Sequence, residues 1–431
     1  MKIRLVVRLV ACGLMSAWLW PAHAAGDGMP GVRILGSDLA GLLAYAREHN
    51  PELAATRFDA DAAVQRAQSA AALPDPVFRA ELMDITNQGT NKGTSLLPSK
   101  VGGTRYTLIQ SMPWFGKRDL QREAAEAGAD QARGQSAATW AELSAQIKSA
   151  YAQYYFVAGS QKITRDQLDL VMQMEKVAQA RYANGLAAQQ DAVRAQVEQT
   201  VIKTELVKLN NTQRQIEAQL NALLSRPASS PFATPQSLRS IPATASLKNH
   251  ADLEKRIREH NPDLFADEAG IRASEKNRDL AYRNRYPDVA LGISPTQAGN
   301  AVREWGVMVE LSIPLQQGSR RSQERESEAM LAAARARKEA TANRVLSALA
   351  ENLAGIEAAQ STESLSTSGL LPQANATYES ALTGYQNGKV DFATLLDAAR
   401  QILNAKLEVL KAQTDAQMRL AEIEKLLGEE L

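Results

Sequence analysis

Hydrophobic residues follow two different periods along the chain, and each period predicts a different kind of element. In four short segments apolar side chains occupy every second position, as expected for strands with one apolar and one polar face. The clearest of these segments places Trp305, Val307, Val309, Leu311 and Ile313 on one face. Elsewhere apolar residues recur every three to five positions with alanine between them, which favours closely packed helices. We therefore predict a mainly α chain with a small β part, whose strands lie at about 76–85, 104–113, 287–294 and 304–314.

A very long helical segment follows each pair of strands. The segment 116–182 contains no proline, and at 1.5 Å per residue a helix of this length would reach ~100 Å. The corresponding segment 318–384 contains one proline, Pro372, where we expect a kink. An Asn-Gly dipeptide follows each long segment and predicts a tight turn into a returning helix.

Short sequences recur in the same order in the two halves of the chain. Glu-His-Asn-Pro at 48–51 returns at 259–262, and Tyr-x-Asn-Gly at 182–185 returns at 385–388. Four such landmarks recur at offsets of roughly 200 to 213 residues, which chance matches would not produce. We predict two copies of one unit, at 25–224 and 251–431, joined by an irregular linker at 225–250 that is rich in proline and serine.

The predicted strands have the length and the one-sided hydrophobicity of strands that span a bilayer, although a half-buried strand of a soluble sheet shows the same pattern. No segment after the N-terminal region approaches the ~20 apolar residues of a membrane helix, so any membrane crossing must be made by strands. Four strands are too few to close a barrel, because an open edge in lipid leaves backbone groups unpaired. An oligomer is therefore expected. A dimer would supply eight strands and a filled interior, whereas a trimer would supply twelve strands and room for a pore.

The first 24 residues predict a signal peptide. A basic start is followed by an apolar run at 9–20 and by small residues before a cleavage site that precedes Ala25. The sequence Leu-Val-Ala-Cys ending at Cys12 also resembles a lipoprotein cleavage box, so lipidation at Cys12 remains an alternative.

Composition and motifs argue against several classes of function. The formal net charge is +1, with no basic excess that would bind nucleic acid. Once the signal peptide is removed, the chain has no cysteine and three histidines, without His-x-x-His spacing, and we predict no metal site and no cofactor. His49 and His260 end helical segments just before Asn-Pro, where an imidazole favours the negative end of the helix dipole. No nucleophile–base pattern or phosphate-binding loop is present, so an enzyme is not expected.

The two predicted helix turns carry a resemblance to a known family. Residues 181–191 and 384–398 resemble the two periplasmic turns of the TolC family of outer-membrane efflux channels. Each Asn-Gly lies about 72 to 74 residues after a proline that ends a strand, Pro113 or Pro314, and the resemblance covers essentially the whole mature chain. It implies a homotrimer with a twelve-stranded barrel in the outer membrane of a Gram-negative bacterium and a barrel of long coiled helices in the periplasm.

A second motif narrows the resemblance within that family. Pro113-Trp114-Phe115-Gly116-Lys117 is similar to the Pro-Trp-x-Gly-Lys junction of channels in heavy-metal efflux systems of the cobalt-zinc-cadmium type. At the barrel-to-helix junction proline ends a strand, glycine permits a sharp turn and tryptophan suits the membrane interface, with Pro314 as the counterpart of Pro113.

The resemblance also implies the sites of docking and gating. The tips, Asn184-Gly185-Leu186 and Asn387-Gly388-Lys389, are expected to meet a periplasmic adaptor protein. Asp191 and Asp397 match family aspartates at the closed periplasmic entrance, where each would form a ring of three carboxylates. A solvated aspartate on a helix surface is the alternative for both.

This sequence departs from the family pattern at two positions near the entrance. Thr394 replaces one ring aspartate, and Val390 replaces an arginine that holds the gate closed, for which Lys389 is a possible substitute.

The leading hypothesis is a passive exit duct for heavy-metal cations or small toxic compounds. Its partners would be the adaptor, an inner-membrane proton-driven pump of the RND type and the lipid of the outer membrane. The alternative is a soluble periplasmic coiled-coil adaptor or structural protein, which would need no outward-facing apolar strand face.

Overall fold

A computed structural model describes residues 35–86, 94, 96–98, 101–241 and 249–431. The predicted signal peptide, the cleavage site before Ala25 and the alternative at Cys12 lie outside the described residues.

The order of elements in the first half of the described chain recurs in the second half. The first half contains α1 (Leu39–His49), α2 (Pro51–Ala70), β1 (Val77–Met83), β2 (Gly103–Met112), α3 (Lys117–Ala183) and α4 (Gln189–Leu223). The second half contains α5 (His250–His260), α6 (Pro262–Arg283), β3 (Asp288–Ala298), β4 (Ala301–Ser312), α7 (Gln317–Leu365), α8 (Leu371–Gln386) and α9 (Phe392–Leu427).

The four strands form one antiparallel sheet in the order β1-β2-β3-β4, so the central pair, β2 and β3, joins the two halves. The register aligns Phe78, Leu108, Ile293 and Val307 in one row across the sheet. These side chains are 66%, 46%, 51% and 81% exposed, respectively. One face of the sheet therefore presents a continuous apolar surface that the described residues of the protomer leave uncovered.

The opposite face of the sheet is polar. Another row aligns Glu81, Arg105, Thr296 and Glu304, and Arg105 lies 3.9 Å from the carboxylate of Glu81. Successive side chains of a strand point to opposite faces, so the alternating sequence separates the two surfaces.

The hairpin of β3 and β4 is longer than the sequence predicts. β3 continues to Ala298 and β4 begins at Ala301, joined by Gly299 with φ +62° and one further residue. Thr296 and Gln297 are polar and break the apolar alternation, yet backbone pairing and a two-residue glycine turn extend the ladder to its end.

The second long helix is interrupted next to its proline. A π-helical turn, Ser366–Leu370, separates α7 from α8, and Pro372 is the second residue of α8. Proline has no N–H to donate, so regular hydrogen bonding changes in the turn before it. Among the described residues, none of the helices combines the length and the apolar character needed to cross a membrane.

The asparagine of the repeated Glu-His-Asn-Pro sequence connects each short helix pair to the end of a returning helix. The Oδ1 of Asn50 accepts a hydrogen bond from Leu53 N at 3.0 Å, and its Nδ2 donates to Leu223 O at 2.9 Å. Asn261 repeats both contacts at 2.9 and 2.8 Å, with Leu426 O as the acceptor. Each buried amide therefore caps one helix and satisfies a carbonyl at the end of another.

His49 and His260 occupy the last positions of α1 and α5, where the sequence analysis expects them. The Nδ1 atoms lie 3.1 and 3.2 Å from the carbonyl oxygens of Tyr45 and Arg256, one turn earlier in each helix. The bonds that join distant helices, however, are made by the asparagine after each histidine, a role that the sequence analysis missed.

A buried ion cluster attaches the linker to the helices. Glu424 accepts from Lys148 Nζ at 2.9 Å and from the guanidinium of Arg239, a linker residue, at 2.9 and 3.0 Å. Burial alone would raise the pKa of Glu424, but the bonds from Arg239 and Lys148 outweigh it and hold the pKa below its usual value. The carboxylate is therefore ionised at neutral pH and fastens the linker to α3 and α9.

We predict that Asn261→Ala lowers the free energy of unfolding by about 2 to 4 kcal/mol, because it removes a helix cap and leaves the buried Leu426 carbonyl without a partner. Asn249→Ala is the matched control, since exposed Asn249 caps α5 through Asp252 N alone and should cost only about 1 kcal/mol. Denaturant unfolding followed by circular dichroism measures both losses. Equal losses in the two variants would contradict the structural role of Asn261.

Candidate functional site

Both turns between the long helices have the same hydrogen-bonded geometry. In the first turn the N–H groups of Gly185 and Leu186 donate back to the end of α3 at 2.9 and 2.8 Å. In the second, those of Gly388 and Lys389 donate back to α8 at 3.0 and 2.8 Å. Both glycines have φ +71°, a conformation in which a residue with a Cβ atom is strained.

The six predicted docking residues are exposed at these two turns: Asn184, Gly185, Leu186, Asn387, Gly388 and Lys389. The two asparagines also hold the turns together, because Asn184 Nδ2 donates to Ala180 O at 2.7 Å and Asn387 Nδ2 donates to Thr383 O at 2.9 Å. Leu186 is the large apolar side chain of the set and is exposed.

Arg181 joins the two turns to each other. Its guanidinium donates to Leu186 O at 3.1 Å, donates to Gln386 O in the other turn, and lies 5.1 Å from the ring centre of Tyr385. The equivalent position in the second half is Gly384, so one turn supplies the connecting side chain for both. In the sequence Arg181 is only the first residue of the turn segment 181–191, and no local pattern there indicates this contact.

Asp191 accepts a hydrogen bond from a residue in the second half of the chain. The hydroxyl of Tyr385 donates to Asp191 Oδ2 at 3.1 Å. Burial, and then the charge of Asp191, raise the pKa of Tyr385 to about 12, so the phenol stays protonated and remains a donor at neutral pH. The contact joins α4 to α8 close to the turns.

Asp397 lies in a different environment. It is exposed, accepts a hydrogen bond from Gln401 Nε2 at 3.1 Å, and has no basic group within ion-pair distance among the described residues. Its neighbour Arg400 instead donates to buried Glu198 on α4, with Nε at 3.0 Å from Oε1. The ion pair of Arg400 and Glu198 is thus a further connection between the two helical hairpins, and no local sequence pattern marks it.

Thr394, one of the two departures from the family pattern, also has a structural role. Thr394 donates to Asp391 Oδ1 through its backbone N–H at 2.9 Å and its hydroxyl at 2.6 Å, which makes Asp391 the cap of α9. The threonine bonds from hydroxyl and backbone lower the pKa of Asp391 and keep its carboxylate ionised. Lys389 forms no ion pair among the described residues, and Arg181 is the basic residue that joins the turns.

At the opposite end of α3, the predicted junction residues connect the two halves of the chain. Trp114 N and Lys117 Nζ each donate to Asp288 Oδ1 at 2.8 Å, and Lys117 Nζ also donates to Tyr286 O at 3.1 Å. The rings of Trp114 and Tyr286 stack at 5.6 Å. The Pro-Trp-x-Gly-Lys motif therefore positions the first residue of β3 as well as the start of α3.

Proline and glycine shape both junctions. Pro113 follows the last residue of β2, and Gly116 has φ +81° immediately before α3 begins. Pro314 lies between β4 and α7, and its carbonyl accepts from Gln317 Nε2 at 2.9 Å. Within the described part of the chain, no group of three or more His, Cys, Asp or Glu residues is arranged to hold a metal ion.

Comparisons with known proteins agree with this geometry. Residues 42–226 and 253–429 match the model of the outer membrane efflux protein family. The chain is 25% identical over 431 residues to the cobalt-zinc-cadmium resistance protein CzcC of Cupriavidus metallidurans, covering 96% of this chain and 98% of CzcC.

Two solved structures share the fold. The outer-membrane channel OprN superimposes with a TM-score of 0.78 at 20% identity, over 92% of this chain and 93% of that chain. The outer membrane protein VceC of Vibrio cholerae gives 0.77 at 19% identity, over 91% and 96%. The predicted fold class, the resemblance to TolC-like efflux channels and the outer-membrane location are confirmed. The chain belongs to the outer membrane efflux protein family.

Proposed function

We propose that the protein is the passive outer-membrane duct of a tripartite, proton-driven efflux system, and that three copies form the channel. The observation that carries the proposal is the two-faced sheet, in which the exposed row from Phe78 to Val307 lies opposite the polar row from Glu81 to Glu304. An apolar face suits lipid and a polar face suits an aqueous pore. The alternative, a soluble periplasmic adaptor or structural protein, would expose this apolar face to water.

The open edges of the sheet also support the closure of a barrel by several protomers. Among the described strands of one chain, β1 and β4 each have a single neighbour, and unpaired backbone groups are costly in lipid. Because each protomer contributes an even number of antiparallel strands, β4 of one copy would meet β1 of the next in antiparallel orientation. Twelve strands from three copies leave an aqueous interior for Glu81 and Arg105, whereas eight strands from two copies would bury them.

Each half of the chain contributes to both ends of the proposed duct. The two repeats, 25–224 and 251–431, would each supply two strands and one turn, with the linker at 225–250 between them. The turns carrying Gly185 and Gly388 would dock on the periplasmic adaptor, which in turn contacts the inner-membrane pump. The role includes no chemical step, so the chain would act as a conduit and not as an enzyme.

Heavy-metal cations are the proposed cargo. The support is the name of the relative CzcC, a cobalt-zinc-cadmium resistance protein, together with the Pro-Trp-x-Gly-Lys junction at 113–117. Exposed Asp397 would add a ring of three carboxylates at the entrance, where cations relieve the mutual repulsion. Export of small toxic compounds is the second candidate.

Complementation of a strain that keeps its pump and adaptor but lacks the outer-membrane channel tests this function. We expect the protein to restore tolerance to cobalt, zinc or cadmium and to stay with outer membranes after carbonate washing. Tolerance restored only to organic toxins would contradict the metal cargo. A protein released by carbonate would contradict the channel itself.

We predict that Gly388→Val abolishes export while trimers persist. At φ +71° a residue with a Cβ atom costs about 1 to 2 kcal/mol, and the new Cβ would lie 3.4 Å from Arg181 Nη2, which joins the turns. Gly128→Val is the control, because Gly128 lies within α3 with no atom near the new Cβ. Metal tolerance and native electrophoresis measure the two properties. Loss of trimers in Gly388→Val would indicate a folding role and would contradict docking.

We predict that Asp397→Asn lowers cation selectivity in planar-bilayer recordings and weakens block by multivalent cations from the periplasmic side. The physical reason is the loss of three exposed charges at a narrow entrance. Asp191→Asn is the matched comparison and should change selectivity less, because Asp191 is occupied by the Tyr385 hydroxyl. Unaltered selectivity and block in Asp397→Asn would remove this residue from the pore.

A further inference from the structure

A groove of about 560 Å³ lies where the sheet meets the helices, below the end of β4. One side of the groove is apolar and is formed by Ile313, Pro314 and Leu315. Ile313 and Leu315 are 66% and 81% exposed, and they continue the uncovered apolar surface of β4 toward α7. The groove therefore begins where the proposed lipid-facing surface ends.

The other side of the groove is polar and basic. It includes Lys117, whose side chain is 93% buried, and Arg320 in the first turn of α7. One carboxylate, that of Asp288, lines the groove, and Lys117 neutralises it at 2.8 Å. The groove thus combines an apolar rim with a wall whose remaining charge is positive.

Three arginines that form no ion pair among the described residues continue this charge along α7, and the carboxylates of Asp288 and Glu324 interact with Arg320 and Arg321 only at longer range. Among the described residues, Arg320, Arg321 and Arg325 have no carboxylate within ion-pair distance, and the first turn of α7 contains no acidic residue. This differs from the surrounding surface, where Arg285 pairs with Glu324. At 1.5 Å per residue, all three arginines lie within ~12 Å of the start of the helix.

We propose that this groove binds the phosphate headgroup of a phospholipid from the membrane leaflet on the helical side. The acyl chains would lie along Ile313 and Leu315, while Arg320 binds the phosphate and Arg321 and Arg325 add to the local positive charge. Guanidinium groups form paired hydrogen bonds to phosphate oxygens, and arginine loses less hydration than lysine when it does so. The inference rests on the proposed function, because it requires the exposed strand face to lie in a bilayer.

The position along the chain explains why three unpaired arginines are tolerated there. Arginine side chains at the edge of a membrane keep their apolar stems near the acyl chains and their charged ends near the headgroups. The stacked rings of Trp114 and Tyr286 lie at the same junction, as aromatic residues do at membrane interfaces. Bound lipid would therefore hold the junction of strand and helix at a fixed depth in the membrane.

The test measures binding of phosphatidylglycerol to the purified full-length protein by native mass spectrometry and by titration with a fluorescent analogue of the lipid. The variant combines Arg320→Gln, Arg321→Gln and Arg325→Gln. Each basic residue near an anionic lipid surface contributes about fivefold to binding, so the triple variant should bind on the order of a hundredfold more weakly. The control combines Arg337→Gln and Arg344→Gln, two exposed arginines of the same helix without ion pairs among the described residues, ~30 and ~40 Å from its start.

Two further measurements distinguish a lipid-binding site from a site that binds free anions. Inorganic phosphate should displace the lipid only weakly, because it lacks acyl chains. Leu315→Ser should weaken lipid binding without changing the binding of inorganic phosphate. Displacement by inorganic phosphate at the same concentration as by lipid would overturn the lipid assignment.

The remaining outcomes distinguish this inference from the proposed function. If the triple variant inserts, conducts and binds phosphatidylglycerol like the unmodified protein, the inference is wrong and the proposed channel stands. If the control loses lipid as strongly as the triple variant, the groove has no special role. A protein that fails to insert into bilayers would contradict the proposed channel and this inference together.

Discussion

Backbone pairing across the four-stranded sheet is the constraint on which the rest of the molecule depends. The sheet satisfies the inner strands β2 and β3 within one chain but leaves one side of β1 and one side of β4 open. Its apolar row and its polar row lie on opposite faces. A sheet that folded back on itself, or that was buried in a soluble core, would therefore leave one face in an unsuitable environment. In the proposed channel, assembly of several copies in a membrane would pair the edges, cover the apolar face with lipid and leave the polar face in water.

The two halves of the chain are alike where they build the fold and different where they meet. Asn50 and Asn261 make the same pair of bonds, and the glycines of both turns share φ +71°. At the turns, by contrast, the two halves differ: the position of Arg181 in the first repeat is occupied by Gly384 in the second. The guanidinium of Arg181 lies over the ring of buried Tyr385. This asymmetry adds a connection between the two hairpins of one protomer, beside the contacts of Tyr385 with Asp191 and of Arg400 with Glu198.

Charged side chains have one role inside the helical part of the molecule and another at the end of the sheet. Buried Glu424 bonds Lys148 and Arg239 and so fastens the linker, while Glu198 and Arg400 join two helices near the turns. At the end of the sheet, Arg321 and Arg325 of α7 are exposed and Arg320 is half-buried beside the apolar strand end. A buried charge requires a partner of opposite sign, and a charge that is left exposed is available to solvent, lipid or a neighbouring protein.

Local pattern in the sequence was enough to predict the four strands, both long helices, the two glycine turns and the family. Each of these predictions rests on a pattern that local backbone geometry explains. The patterns are the alternation of period two, the absence of proline over nearly 70 residues and Asn-Gly at corresponding positions. Hydrophobic alternation did not predict the extension of β3 and β4 through polar residues. Strand pairing across a glycine hairpin continues the ladder beyond the point where the alternation ends.

The tertiary structure alone decided which side chains meet. Asn261 with Leu426, Arg181 with Gln386 and Glu198 with Arg400 are partners about 165 to 205 positions apart, and no local pattern marks them. It also distinguished the two aspartates, since Asp191 receives the Tyr385 hydroxyl and Asp397 faces solvent although both follow a turn. The physical reason is that hydrogen bonds and ion pairs depend on distances between elements, which the packing of the whole chain sets, whereas hydrophobic period and turn chemistry depend only on neighbouring residues.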